Sequence, residues 1–181
     1  MRVTGGELRS RVIRSPHGEA IRPTPGRVKE ALFSIVGDAI ADARVLDLFA
    51  GTGAIGFESL SRGSSHATFV ELHAPTARAI GTAASELGLT KRATVICAPA
   101  ETAVKRLVGR FDLVYADPPY ALPPPHLTFG NLLERGAIDA SSLVIYERRE
   151  NAPPFERMGF TTVREARYGE VMLQFLRVAD A

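Results

Sequence analysis

The sequence predicts an α/β domain built on a mostly parallel, doubly wound sheet of seven strands with helices on both faces. Three observations carry that expectation. From Arg44 onward short apolar runs alternate with helical stretches, as parallel strands joined by right-handed crossovers require. The last two runs follow one another with no room for a crossover, so they predict a C-terminal antiparallel hairpin. Finally, 181 residues, 45% hydrophobic and 23% charged, fit one globular domain with a small extension.

Before the alternation begins, residues 1–14 alternate weakly (Val3, Leu8, Val12) around Gly5-Gly6, which predicts a small hairpin or arm. Thr24-Pro25 suits a helix start, Val28, Leu32 and Ile35 follow at helical spacing, and Gly37 can close the helix. Val45-Leu46-Asp47-Leu48-Phe49 is the first strand, leading through a glycine loop into a helix that ends near Gly63. Ala67-Thr68-Phe69-Val70-Glu71 is the second. A helix over 75–87 shows Ala77, Ile80, Ala84 and Leu87 on one stripe, with Gly88 as its stop. Ala93-Thr94-Val95-Ile96-Cys97 is the third strand, followed by a helix over 101–108. Residues 111–116 form the fourth strand, 126–135 a helix, 143–146 the fifth strand, and 160–167 with 170–178 the hairpin. The division expected is an arm over 1–22 and the main domain over 23–181.

Composition removes several function classes. One cysteine, Cys97, excludes an internal disulfide framework, and mid-strand it reads as a small buried hydrophobe. Four scattered histidines offer no metal-ligand spacing, so no metal is expected. No apolar run approaches the ~20 residues of a membrane span and no signal-peptide core is visible, which predicts a cytoplasmic protein. The formal charge of +2 is unevenly spread: residues 1–30 hold seven bases against three acids, and the other 151 hold 15 against 17. Arg2, Arg9, Arg11, Arg14 and Arg22 therefore make the start of the chain a candidate phosphate-binding surface, or a plain solvated face. Arg148-Arg149 is a lesser candidate of the same kind.

Two motifs carry chemistry. Gly51-Thr52-Gly53-Ala54-Ile55-Gly56 follows a strand and opens a helix, with Glu71 twenty residues beyond Gly51. Glycines there admit a close ligand and a carboxylate ending the second strand can take ribose hydroxyls, although a tight turn in any α/β protein can look the same. Asp47 lies within the strand leading in, where a carboxylate suits a cation better than a pyrophosphate. The second motif, Asp117-Pro118-Pro119-Tyr120, ends the fourth strand and so faces the same crevice. A carboxylate and the Pro118 carbonyl can accept both N–H groups of a weakly nucleophilic amine, and Tyr120 offers a face for an extruded base.

The run Asp47-Leu48-Phe49-Ala50-Gly51-Thr52-Gly53 resembles motif I of the class I S-adenosylmethionine-dependent methyltransferases, which have a Rossmann-like fold. Asp117-Pro118-Pro119-Tyr120 resembles the signature of enzymes that methylate adenine N6, guanine N2 or glutamine amide. With Gly5-Gly6 and the segment running from Arg22-Pro23-Thr24-Pro25 to Phe33, the whole is similar to the RsmD family, bacterial 16S ribosomal RNA guanine-N2 methyltransferases. The resemblance implies catalytic roles for Asp117, Pro118, Pro119 and Tyr120. It implies an S-adenosylmethionine site made by Asp47, Phe49, Gly51, Thr52, Gly53, Glu71, Leu72, Ala100 and Glu101, with Arg22 and Thr24 nearby. It also implies 16S rRNA in a small-subunit assembly intermediate as partner, contacted by the basic arm of a monomeric enzyme. One departure stands out: many relatives carry an Asp after the third strand, where this chain has Ala98-Pro99-Ala100-Glu101. DNA adenine-N6 methylation is the nearest alternative, though 181 residues leave little room for a target-recognition region. A nicotinamide-dependent dehydrogenase would share the glycine pattern, and a non-catalytic RNA-binding module the basic arm, but neither needs Asp117-Pro118-Pro119-Tyr120.

Overall fold

The computed structural model describes residues 1–14, 26–119 and 121–179. Arg22, Thr24 and Tyr120, and the expected Thr24-Pro25 helix start, lie outside them. After α1 (Gly26–Val36) come β1 (Arg44–Leu48), α2 (Ala54–Ser61), β2 (His66–Glu71), α3 (Ala74–Glu86) and β3 (Ala93–Cys97). Then follow α4 (Ala100–Ala103), β4 (Leu113–Ala116), α5 (His126–Glu134), β5 (Leu143–Arg149), β6 (Phe160–Tyr168) and β7 (Val171–Val178). The seven strands form one sheet in the order β3-β2-β1-β4-β5-β7-β6. The first five are parallel, and β7 pairs antiparallel with both β5 and β6.

Side chains alternate across the central strands, and each face has its own core. Val45, Phe69, Tyr115 and Ile145 point toward α1, α2 and α3, where they meet Leu32, Phe57 and Ile80. Leu46, Leu48, Val114 and Val144 point the other way, onto Val104, Phe129, Leu132 and Phe155. With both faces covered, β1 and β4 read as near-continuous apolar runs, the pattern of a buried parallel sheet. The strand order reverses between β1 and β4, and that switch point opens a crevice at the carboxyl ends of the strands.

The structure departs from the sequence reading in several places, among them the fifth strand, which runs to Arg149 rather than 146. The fourth helix is one turn of α-helix followed by a 3₁₀ turn at Val104–Arg106, and the chain is extended at Leu107, short of the expected 108. Cys97 is exposed, because β3 is an edge strand and its thiol faces the Leu72 carbonyl at 3.7 Å. Arg148 is neither a phosphate contact nor a solvated turn. It is buried within β5, donating to the carbonyls of Arg149, Glu150 and Ala152 and pairing with Glu165 at 3.0 Å. Lys29, one of the seven bases of residues 1–30, is buried and pairs with Glu58 at 2.8 Å.

Candidate active site

A cleft of about 1130 Å³ lies across the switch point. Its wall on the β1–β3 side is made by the glycine loop, the end of β2 with the start of α3, and residues 98–101. The opposite wall is made by residues 117–119 and 122–128, and Tyr115, Glu147 and Val171 also line the cleft. Asp47, Phe49, Gly51, Thr52, Glu71, Leu72, Ala100, Glu101, Asp117, Pro118 and Pro119 all line it. Gly53 does not; it is buried and starts α2 with φ 74°, where a Cβ would lie 2.8 Å from the Phe57 ring. Only a residue without a side chain is comfortable there. Phe49 also takes a left-handed φ of 58°, a strain of order 1–3 kcal/mol that this non-glycine residue accepts in turning the chain out of β1.

The carboxylates are set by the turn itself. Asp47, 2% exposed, accepts the Gly56 amide at 2.9 Å and so anchors the first turn of α2. Burial pushes its carboxyl up to about 8; the Gly56 hydrogen bond opposes this, and the negative charges of Asp117 and Glu71 add to it. Glu71 accepts the Gly51 amide through Oε2 and the His73 amide through Oε1, both at 2.8 Å. It thereby ties the glycine loop to the end of β2. Among the described residues lining the cleft there are five carboxylates, Asp47, Glu71, Glu101, Asp117 and Glu147, and no lysine or arginine. Such a cleft attracts cations and repels phosphates.

Asp117 leaves the end of β4 half-buried, followed by buried Pro118 and exposed Pro119. Glu147 is a residue that the sequence reading missed. It lies within β5, buried, and accepts a hydrogen bond from the Tyr115 hydroxyl. Its only signal in the sequence is a lone acid continuing the apolar run 143–146. His126 starts α5, stacks on Phe155 with ring centroids 4.9 Å apart, and lines the cleft beside three prolines.

The arm lies along α2. Arg2 and Val12 form an antiparallel bridge, and Arg2, Arg9, Arg11 and Arg14 are all exposed. At the far end of α2, the Thr4 and Gly5 amides donate to Glu58 at 2.9 and 2.8 Å, and the Glu7 amide donates to the Ser61 carbonyl. At the near end the Thr52 hydroxyl points to the Met1 sulfur at 3.6 Å. The open end of the hairpin, with Ile13 and Arg14, therefore meets the glycine loop, while its turn points away along α2.

The family model described as "Conserved hypothetical protein 95" matches residues 1–177. "Ribosomal RNA small subunit methyltransferase D" of Escherichia coli (strain K12) is 30% identical over 174 residues, covering 94% of this chain and 86% of that protein. The chain belongs to the RsmD family. The RsmD relationship extends to structure. The solved chain "Putative methyltransferase yhhF from Escherichia coli" superposes with a TM-score of 0.87 at 30% identity, covering 98% of this chain and 97% of that one. SAH-bound PaMTH1 of Podospora anserina shares the fold alone: TM-score 0.64, 16% identity, 87% of this chain and 83% of that one. The fold is thus that of the class I methyltransferases, and this RsmD-family chain is a methyltransferase.

Proposed function

We propose that the chain transfers a methyl group from S-adenosylmethionine to the exocyclic N2 amine of a guanine in 16S ribosomal RNA, within a small-subunit assembly intermediate in the cytoplasm. The observation that carries this reading is an acidic cleft, without lysine or arginine among its described lining residues, that ends in Asp117-Pro118. A pyrophosphate-bearing dinucleotide would be repelled there, whereas a ligand with an ammonium and a sulfonium would be held. The donor set fits such a cofactor. Asp47 and the glycine loop take the methionine end, Glu71 takes the ribose hydroxyls through lone pairs that its backbone bonds leave open, and Leu72, Ala100 and Glu101 flank the adenine. When bound, the cofactor supplies an electrophilic methyl on sulfur.

The chain's own residues then prepare the nucleophile. The lone pair of a base amine is delocalised into the ring. Asp117 and the Pro118 carbonyl accept its two N–H groups and draw the nitrogen toward tetrahedral geometry, and Asp117 receives the proton released as the N–C bond forms. Pro119 holds the carbonyl in place, and Tyr120 stacks on the base. Positioning at near-attack distance supplies most of the acceleration. The phosphates are gripped by Arg2, Arg9, Arg11 and Arg14 on a monomeric enzyme's arm, whose open end adjoins the glycine loop, and by Arg22, which also serves the cofactor.

Incubating the protein with labelled S-adenosylmethionine and small subunits from cells lacking it, then mapping the label, tests this. We expect label on the N2 of one guanine, and at least about a hundredfold loss in kcat for Asp117→Ala with cofactor affinity kept. Label on adenine or none on RNA, or an Asp117→Ala variant with full activity, would refute the reading.

A further inference from the structure

We infer that Glu147 selects guanine over adenine by accepting the ring N1–H while Asp117 accepts the neighbouring amine. This rests on the guanine-N2 reading above. Strand register brings the two acids together. In the parallel ladder between β4 and β5, Tyr115 stands opposite Ile145 and Ala116 opposite Tyr146. Asp117 follows the last paired residue of β4, and Glu147 follows the last β5 residue paired with that strand. Continuing the register by one residue sets the two acids opposite each other, at the spacing of about 4.8 Å between neighbouring strands. Tyr115 and Asp117, two residues apart, share a face of the sheet, and the hydrogen bond from the Tyr115 hydroxyl places the Glu147 carboxylate on that same face. Both carboxylates line the cleft.

Two carboxylates in a row match one base edge and mismatch another. The Watson–Crick edge of guanine presents N1–H beside N2–H₂, a row of donors. The edge of adenine presents N6–H₂ beside the N1 lone pair, so the same amine would bring an acceptor against a carboxylate. A buried acid at this place costs folding energy, and Tyr115 holds it in position toward the cleft rather than away from it. Glu147 is thus a specificity residue touching the ring, and Tyr115 is a positioning residue acting through it. Adenine-N6 methylation with the same Asp-Pro-Pro-Tyr signature needs no acid at this neighbouring place.

The test uses the full chain and reconstituted subunits carrying, at the mapped nucleotide, either guanine or 2-aminopurine, which keeps the N2 amine but has an unprotonated N1. Wild-type protein is expected to prefer guanine by roughly a hundredfold in kcat/KM, because a site built to accept a hydrogen bond rejects the analogue lacking the donor. Glu147→Gln can donate to an N1 lone pair, and is expected to shrink that ratio at least about tenfold while S-adenosylmethionine affinity stays the same, which also reports an intact cleft. Tyr115→Phe, a second variant that keeps the carboxylate, is expected to lower kcat/KM for guanine several-fold without changing cofactor affinity. A guanine to 2-aminopurine ratio unchanged in Glu147→Gln overturns the inference alone. A wild-type protein that labels no guanine overturns the guanine reading, and this inference with it.

Discussion

Two buried carboxylates, Asp47 bonded to the first turn of α2 and Glu58 within that helix, show how differently the fold treats the same group. Glu58 is fully enclosed, yet Lys29 lies 2.8 Å from it, Arg62 3.0 Å, and Thr4 and Gly5 donate from the arm. Burial alone would raise its pKa, but the bonds from Lys29 and Thr4 outweigh that and hold Glu58 below the ordinary carboxylate range. Asp47, 2% exposed, receives the Gly56 amide, faces the like charges of Asp117 and Glu71, and is raised to about 8. Similar burial thus ends in opposite protonation. Glu58 is satisfied and structural, pinning the arm to the core; Asp47 has no lysine or arginine beside it among the described residues lining the cleft.

The contrast can be broken from the Glu58 side first. Glu58→Ala leaves the Lys29 ammonium buried without its carboxylate, and should cost about 3–5 kcal/mol, read as a drop in the denaturant midpoint at constant slope. Unchanged stability would mean that the arm is not held by this cluster. Asp47→Asn should do the reverse. The Asp47 carboxyl has its pKa raised in the fold, so between about pH 4 and pH 8 the native state holds a proton that the unfolded chain has released. Its contribution to stability therefore falls as pH rises through that window and levels off above about 8. At pH 8 the Asn variant should be more stable by on the order of a few kcal/mol, while its S-adenosylmethionine affinity collapses.

Two smaller effects sharpen the comparison. Binding a cation at Asp47 must expel that proton, so cofactor affinity should weaken about tenfold per pH unit below pH 8. Calorimetry in buffers of different ionisation enthalpy should show close to one proton released at pH 7; a buffer-independent heat would contradict it. On the arm, changing Arg9, Arg11 and Arg14 together to Gln should weaken RNA binding and flatten its dependence on salt, by up to about 0.7–0.9 in log–log slope for each phosphate no longer neutralised. Cofactor affinity should not move. An unaltered salt slope would return these arginines to the solvent.

The sequence exposes Asp47 and hides Glu58 for the same physical reason. Asp47, Gly51, Glu71 and Asp117 come from strand ends and turns, where backbone geometry demands particular residues and the spacing is local. Glu58 sits mid-helix, and its partners lie 54 residues away at Thr4 and 29 away at Lys29, with no local pattern to join them. Lys29 accordingly reads as one more base in a charged segment until the fold buries it. Glu147 is hidden likewise, since its place in the cleft depends on β5 pairing with β4, 30 residues earlier in the chain. The parallel strands and the hairpin follow from alternation and loop length. Edge position does not, which is why Cys97 reads as buried but is exposed.

The last strand is also an interior one. Because β7 lies between β5 and β6, the nine residues of β6 have no sheet neighbour until residues 171–178 have been synthesised. The cleft has the same dependence, since Val171 is one of its lining residues. During translation, then, the walls built from residues 47–128 can assemble while the chain is still emerging, but the lining supplied by Val171 waits for β7. A nascent chain stalled before Val171 would carry the glycine loop and Asp117 yet lack this part of the cleft lining and the strand that joins β6 to the sheet.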